Sequence, residues 1–295
     1  MSLDDIDTIG VVGAGQMGSG IAQIAASTGY DVVMRDIKQA FLDEGLSTIE
    51  GSLARFVERD AIDERERDEI LARIETTTAI EEMREIDVAI EAVVEDEDVK
   101  TSVFADLDQV TDEHAILTTN TSSIPITTLA SATDRPNQVA GMHFFNPVPV
   151  MDLVEVIRGH DTSNATAETV IALARDMGKD PVEVEDLPGF VSNRVLMPML
   201  NEAMFALHEG VADAEAIDQV MRMGMNHPMG PLELADFVGL DTCLHILDVL
   251  RDGYGDPKYR PAPILKQKVE AGHLGKKTGR GFYVWDEGDK VAPAD

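Results

Sequence analysis

The run Thr8-Ile9-Gly10-Val11-Val12 leads directly into Gly13-Ala14-Gly15-Gln16-Met17-Gly18, and a stretch of small residues, Ser19 to Ser27, follows at once. An apolar run, glycines at this spacing and a small-residue helix form a strand–turn–helix unit. Gly13 permits the tight turn, Gly15 lets a pyrophosphate approach the backbone, and Gly18 allows close packing of helix on sheet. Gln16 and Met17 complete the loop. The helix start then offers unpaired N–H groups to phosphate oxygens. Such an opening implies a nucleotide bound at the carboxyl ends of parallel strands.

Asp36 stands eighteen residues after Gly18, at the end of a second apolar run. A carboxylate there accepts hydrogen bonds from ribose hydroxyls and repels a 2′-phosphate, so NAD is the expected cofactor. Its neighbours Arg35 and Lys38 would soften discrimination against NADP, and a plain turn aspartate is the structural alternative.

Further along, apolar runs at Thr8–Val12, Asp31–Arg35, Val88–Val93, Ala115–Thr119, Val139–Phe144 and Leu153–Ile157 alternate with helical stretches. That alternation predicts an α/β fold with a mostly parallel, Rossmann-like sheet, and the close return to Leu153–Ile157 adds one antiparallel strand. The charged segment from Phe41 to Ile74 reads as a helical pair. After Pro188-Gly189 the pattern becomes helical, over Val191–His208, Ala214–Met223, Leu232–Leu250 and Ile264–Ala271, and the residues beyond Trp285 read as a frayed acidic tail. Residues 1–186 are therefore expected to form a dinucleotide-binding domain, and residues 187–295 an all-helical C-terminal domain. The methionines Met197, Met199 and Met204 read as helix packing. The cluster Gly275-Lys276-Lys277-Thr278-Gly279-Arg280-Gly281 is either a phosphate contact or a structural turn.

The strongest chemical signal lies at the reversal. His143-Phe144-Phe145-Asn146-Pro147 ends one apolar run, and Glu155 sits twelve residues after the histidine inside Leu153-Val154-Glu155-Val156-Ile157. Histidine is the side chain best suited to exchange a proton near neutral pH. A glutamate on a buried face must find a partner, and it would orient and stabilise the imidazolium. A core histidine and an edge-strand glutamate are the structural alternatives. Ser122, after a strand, reads as either a helix cap or a substrate contact, and Asn193 as either a helix start or a substrate contact.

The pieces Asn120-Thr121-Ser122-Ser123, His143 to Pro149, Pro188-Gly189-Phe190 with Asn193-Arg194, and Pro228-Met229-Gly230-Pro231 together resemble the short-chain L-3-hydroxyacyl-CoA dehydrogenase family, which includes 3-hydroxybutyryl-CoA dehydrogenases, over nearly the whole chain. The resemblance implies His143 as the catalytic base with Glu155 as its partner, and Ser122 and Asn193 as substrate contacts. It implies Glu95, Lys100, Ser122 and Asn146 along the NAD site, and Ser52 and Arg59 as acyl-CoA contacts. The second of these is a departure, since an arginine stands where the family has a lysine. A substrate cleft between the domains and a homodimer formed through the helical domain also follow from the resemblance. A related 3-hydroxyacid or sugar-acid dehydrogenase and a non-catalytic nucleotide-binding protein are the alternative functions.

Composition narrows the surroundings. With 55 acidic against 24 basic residues the net charge is -31, which disfavours nucleic acid and anionic membrane. A single cysteine, Cys243, fits a reducing interior, and Met1-Ser2-Leu3-Asp4-Asp5 shows no signal-peptide pattern, so a cytoplasmic location is expected. No stretch is apolar enough for a spanning helix, and the seven histidines show no zinc-type spacing, so no metal is expected. Self-repulsion at this charge destabilises a compact state unless salt screens it. The chain is accordingly expected to be salt-requiring and to come from a halophile. Near 1 M salt the Debye length is about 3 Å, so the thermal midpoint should rise markedly between dilute buffer and about 1 M KCl. An unchanged or higher midpoint in dilute buffer would overturn this expectation.

Overall fold

The structure, a computed structural model, describes residues 1–294 and divides into two compact units, Met1–Leu187 and a second beginning at Pro188. The first unit runs β1 (Thr8–Val12), α1 (Gln16–Thr28), β2 (Asp31–Arg35), α2 (Gln39–Glu58), α3 (Glu64–Ala72), β3 (Ile74–Thr77), β4 (Val88–Glu91), α4 (Glu97–Val110), β5 (Ile116–Thr119), α5 (Ile126–Ala130), β6 (Val139–Phe144), β7 (Leu153–Arg158), α6 (Asn164–Asp176) and β8 (Asp180–Glu185). The eight strands form one sheet in the order β3-β2-β1-β4-β5-β6-β7-β8. The first six run parallel, β7 is antiparallel to β6, and β8 is parallel to β7. Strand order reverses between β1 and β4, which places a binding crevice at the carboxyl ends of the strands there.

β4, β5 and β6 are buried along their whole length, which is why they read as near-continuous apolar runs. Ile9, Val11, Val88, Ile90, Met142 and Val156 join the apolar residues of α1 and α6 in the main core. Gly29 caps α1 with a left-handed φ of +117°, a conformation glycine takes without a Cβ penalty.

Two strands of this sheet escaped the sequence pattern. β3 has four residues and follows α3 after a single residue, so it hides at the end of a helical segment. β8, Asp180-Pro181-Val182-Glu183-Val184-Glu185, is a mostly exposed edge strand carrying a proline and charges, as such edges do. β4 also stops at Glu91, short of Val93.

The second unit contains α7 (Ser192–His208), α8 (Ala214–Gly224), α9 (Pro231–Val238), α10 (Leu240–Tyr254), α11 (Pro263–Glu270), and a terminal hairpin of β9 (Tyr283–Asp286) and β10 (Asp289–Pro293). The expected single helix over Leu232–Leu250 is broken at Gly239, whose φ of +102° ends α9 and turns the chain into α10. The expected frayed tail is instead the antiparallel β9–β10 hairpin. Met197, Leu200, Met204, Leu232, Leu247 and Phe282 belong to this unit's own core.

Two fully buried carboxylates hold the unit together. Asp236 accepts hydrogen bonds from the backbone N–H of Phe282 and Tyr283 at 2.8 Å each and from Trp285 Nε1 at 2.9 Å. Asp218 accepts from Leu232 N at 2.8 Å and Glu233 N at 2.9 Å, capping α9, and from the Tyr283 hydroxyl at 2.8 Å. Burial pushes both carboxyls above their ordinary range even against these donors. Gly281 is required here because a Cβ would overlap the Asp236 carboxylate. Asp236→Ala strands three donors, each costing about 1–3 kcal/mol when buried without a partner. Urea unfolding should therefore show a loss of ~3 kcal/mol or more; a loss below about 1 kcal/mol would contradict the role given to Asp236.

Candidate active site

β6 and β7 pair antiparallel with His143 directly opposite Glu155. Side chains of directly opposed residues share a face of the sheet. The alternate residues Ala140, Met142, Phe144, Val154 and Val156 belong to the main core, so His143 and Glu155 lie on the other face. There His143 Nδ1 is 2.8 Å from Glu155 Oε2. The two residues are only 8% and 2% exposed, so the imidazole–carboxylate contact is shielded from bulk water. The His143 ring is tilted against Phe145 at a centroid separation of 4.7 Å. Gly141 precedes His143 by two positions on the same face, where a Cβ would press on Ile157 and Ile126.

The segment after β5 comes alongside. Asn120 Oδ1 accepts from Phe144 N at 2.8 Å, tying this loop to the strand that carries His143. Glu95 organises the rest: its Oε1 accepts from Thr121 Oγ1 at 2.6 Å, Ser122 N at 2.9 Å, Ser123 N at 3.1 Å and Ser123 Oγ at 2.9 Å, with Ser122 Oγ at 3.3 Å. Burial acts to raise the Glu95 carboxyl, but Lys100 and these donors prevail and hold it below the ordinary range. Lys100 does not present an exposed ammonium. It is 1% exposed, with Nζ 2.6 Å from Glu91 Oε1 and 3.4 Å from Glu95 Oε2. Glu91 is a residue the sequence reading passed over, since a lone carboxylate ending an apolar run gives little sign of its partner nine residues on.

The glycine loop expected to hold the cofactor has the open, close-packed geometry a dinucleotide needs. Gly13 has φ +106°, and a Cβ there would meet the Ala92 carbonyl. Gly15 is exposed with open space over its Cα, as backbone approached by a ligand must be. A Cβ on Gly18 would overlap the Gly13 carbonyl oxygen. Gln16 and Met17 open α1, Gln16 exposed and Met17 half-buried. Asp36 reaches back to the loop: Oδ2 accepts from Ala14 N at 2.7 Å and Oδ1 from Ile37 N at 2.6 Å. Asn146 is exposed in the reversal after β6. Ser52 and Arg59 lie seven residues apart on α2 and its C-cap, and so on one helical face. Asn193 belongs to the second unit, buried in the first turn of α7. The Lys276–Thr278 turn is tied down by Lys277 on Asp241 at 2.6 Å. Among the described residues there is no cluster of three or more His, Cys, Asp or Glu able to hold a metal.

Because Glu95 has a depressed pKa in the folded chain, its contribution to stability is complete above the unfolded value and fades as pH falls through the folded one. The stability gap between the native chain and Glu95→Gln should thus narrow as pH drops from about 5 to about 3. A gap that widens on acidification would contradict this. Gly18→Ala should weaken NADH binding by about tenfold or more, measured by fluorescence titration, since the loop must shift to admit the methyl.

Residues 8–187 match the 3-hydroxyacyl-CoA dehydrogenase NAD binding domain, and residues 189–285 match the 3-hydroxyacyl-CoA dehydrogenase C-terminal domain. A probable 3-hydroxybutyryl-CoA dehydrogenase of Bacillus subtilis is 56% identical over 283 residues, spanning 96% of this chain and 99% of that protein. The 3-hydroxybutyryl-CoA dehydrogenase of Bradyrhizobium diazoefficiens is 50% identical over 288 residues, 98% of each chain. The crystal structure of (S)-3-hydroxybutyryl-CoA dehydrogenase from Ralstonia eutropha matches with a TM-score of 0.94 at 48% identity, covering 96% of this chain and 100% of that one. The unit that carries the glycine loop and Asp36 therefore matches an NAD-binding domain. The chain belongs to the 3-hydroxyacyl-CoA dehydrogenase family and is an NAD-dependent oxidoreductase of that family.

Proposed function

We propose that the chain interconverts L-3-hydroxybutyryl-CoA, or a close L-3-hydroxyacyl-CoA, and the 3-oxoacyl-CoA, with His143 and Glu155 as its acid/base pair. The observation that carries this reading is the buried 2.8 Å contact between His143 Nδ1 and Glu155. NAD⁺ supplies the acceptor for the hydride that leaves C3. With Nδ1 held by Glu155, His143 takes the hydroxyl proton on Nε2 as the C3–O bond becomes a carbonyl. Glu155 stabilises the imidazolium so formed and fixes the ring orientation. In the reverse direction the imidazolium returns the proton to the alcohol oxygen. Ser122 and Asn193 contact the substrate oxygens in this reading, and Ser122 is already oriented by Glu95. Ser52 and Arg59 receive the CoA portion, Arg59 as a cation for phosphate.

The same reading makes residues 1–186 the NAD-binding domain and assigns substrate contacts and homodimer formation to the remainder. Val220 and Met223, exposed and three residues apart on α8 and so on one helical face, support association. No helix among the described residues is long and apolar enough to cross a membrane, and the lone Cys243 is buried, in keeping with the cytoplasmic location we infer. The charge of -31 supports a halophilic source.

NADH oxidation followed with acetoacetyl-CoA in high KCl tests the whole reading, and absence of turnover with any CoA ester would sink it. His143→Ala should lower kcat by about 10²–10⁴ while NADH still binds. Glu155→Gln should cost on the order of a hundredfold, because the ring loses its anionic partner. A loss below about tenfold for His143→Ala would remove the histidine from the chemistry.

A further inference from the structure

We propose that Glu91 is a positioning residue for Ser122, acting through Lys100 and Glu95; the inference rests on the reading of Ser122 as a substrate contact. Glu91 ends β4 with its side chain fully buried. A carboxylate taken out of water persists only if it is paired and its lone pairs are filled. Glu91 meets that demand: Oε1 accepts from Val93 N and Lys100 Nζ at 2.6 Å each, and Oε2 from Thr119 Oγ1 at 2.7 Å.

Both of its side-chain partners lead to the loop that carries Ser122. Lys100 Nζ stands 3.4 Å from Glu95 Oε2, and the other oxygen of Glu95 receives the Thr121, Ser122 and Ser123 donors. Thr119 Oγ1, while donating to Glu91, accepts from Thr121 N at 3.1 Å. One cation is therefore shared between two carboxylates, held closely by the buried one and loosely by the one that binds the loop. That asymmetry leaves Glu95 Oε1 available to the loop donors. With the charge on Glu91 removed, Glu95 is the one carboxylate among the described residues left in an ion pair with Lys100. The ammonium then draws Glu95 toward itself, and the Ser122 backbone and hydroxyl lose their alignment.

A double-mutant cycle with kinetic and thermal readouts decides the matter, using the full chain in high KCl with acetoacetyl-CoA and NADH. Glu91→Gln keeps the shape and should lower kcat by about ten- to a hundredfold. In a Ser122→Ala background the same change should cost less than about twofold, because there is no hydroxyl left to align. Glu91→Gln with Lys100→Met removes both buried charges. This pair should restore the thermal midpoint but not kcat, since Glu95 then lacks the ammonium that holds its second oxygen, and it also serves if Glu91→Gln alone folds poorly. If kcat recovers together with the midpoint, Glu91 acts only on the fold and the proposal is overturned. Losses from Glu91→Gln and Ser122→Ala that simply multiply overturn it as well. Should Ser122→Ala by itself leave kcat and KM intact, the role of Ser122 fails first, and this proposal with it.

Discussion

The register of β6 against β7 is the constraint on which the site depends. Antiparallel pairing sets His143 opposite Glu155, and a slip of one residue would turn one of the two side chains into the apolar core. Ala140, Met142, Phe144, Val154 and Val156 fix the register from the other face, because each must remain buried. The dyad is thus positioned by hydrophobic packing behind it, and its own 2.8 Å contact only completes the arrangement. The reversal joining the strands is held in turn by the Lys179 ammonium, which donates to the carbonyls of Val148 and Met151.

Carboxylates recur as organisers of backbone in this acidic chain, some of them fully buried and some partly exposed. Glu95 gathers the N–H groups of Ser122 and Ser123, while Asp186 accepts from Ile126 N at 3.0 Å and Thr127 N at 2.8 Å and so caps α5. Asp218 and Asp236 do the same for α9 and the β9–β10 hairpin. A single carboxylate can serve several donors that would otherwise be stranded by the turns the fold requires. These acceptors stitch loops to strands, whether fully buried, as Asp218 and Asp236 are, or partly exposed, as Glu95 and Asp186 are.

What could be read from residue order was whatever repeats or alternates. The glycine loop, the parallel strands β1, β2, β4, β5 and β6, and the facing pair of His143 and Glu155 followed from apolar runs and their spacing. β8 was missed because an edge strand needs no apolar face, and β3 because four residues after a helix carry too short a pattern. The break at Gly239 was hidden by apolar residues on both sides, since a helical period continues unbroken through one glycine on paper. Glu91 and Lys100 were illegible as a pair, because only the folded sheet brings the end of β4 beside the first turns of α4. The loop at 121–123 showed its serines in the sequence, but the carboxylate that shapes it lies 26 to 28 residues earlier.

Asp36 spends one oxygen on the Ala14 N–H of the glycine loop and the other on the Ile37 N–H. In the proposed reading it selects an unphosphorylated ribose, and in the structure it is also a strut for the glycine loop. Recoding the enzyme for the 2′-phosphorylated coenzyme by exchanging this acid would loosen that loop along with the selector. A redesign would have to supply a replacement acceptor for Ala14, and evolution under the same geometry faces two coordinated changes where one would otherwise suffice.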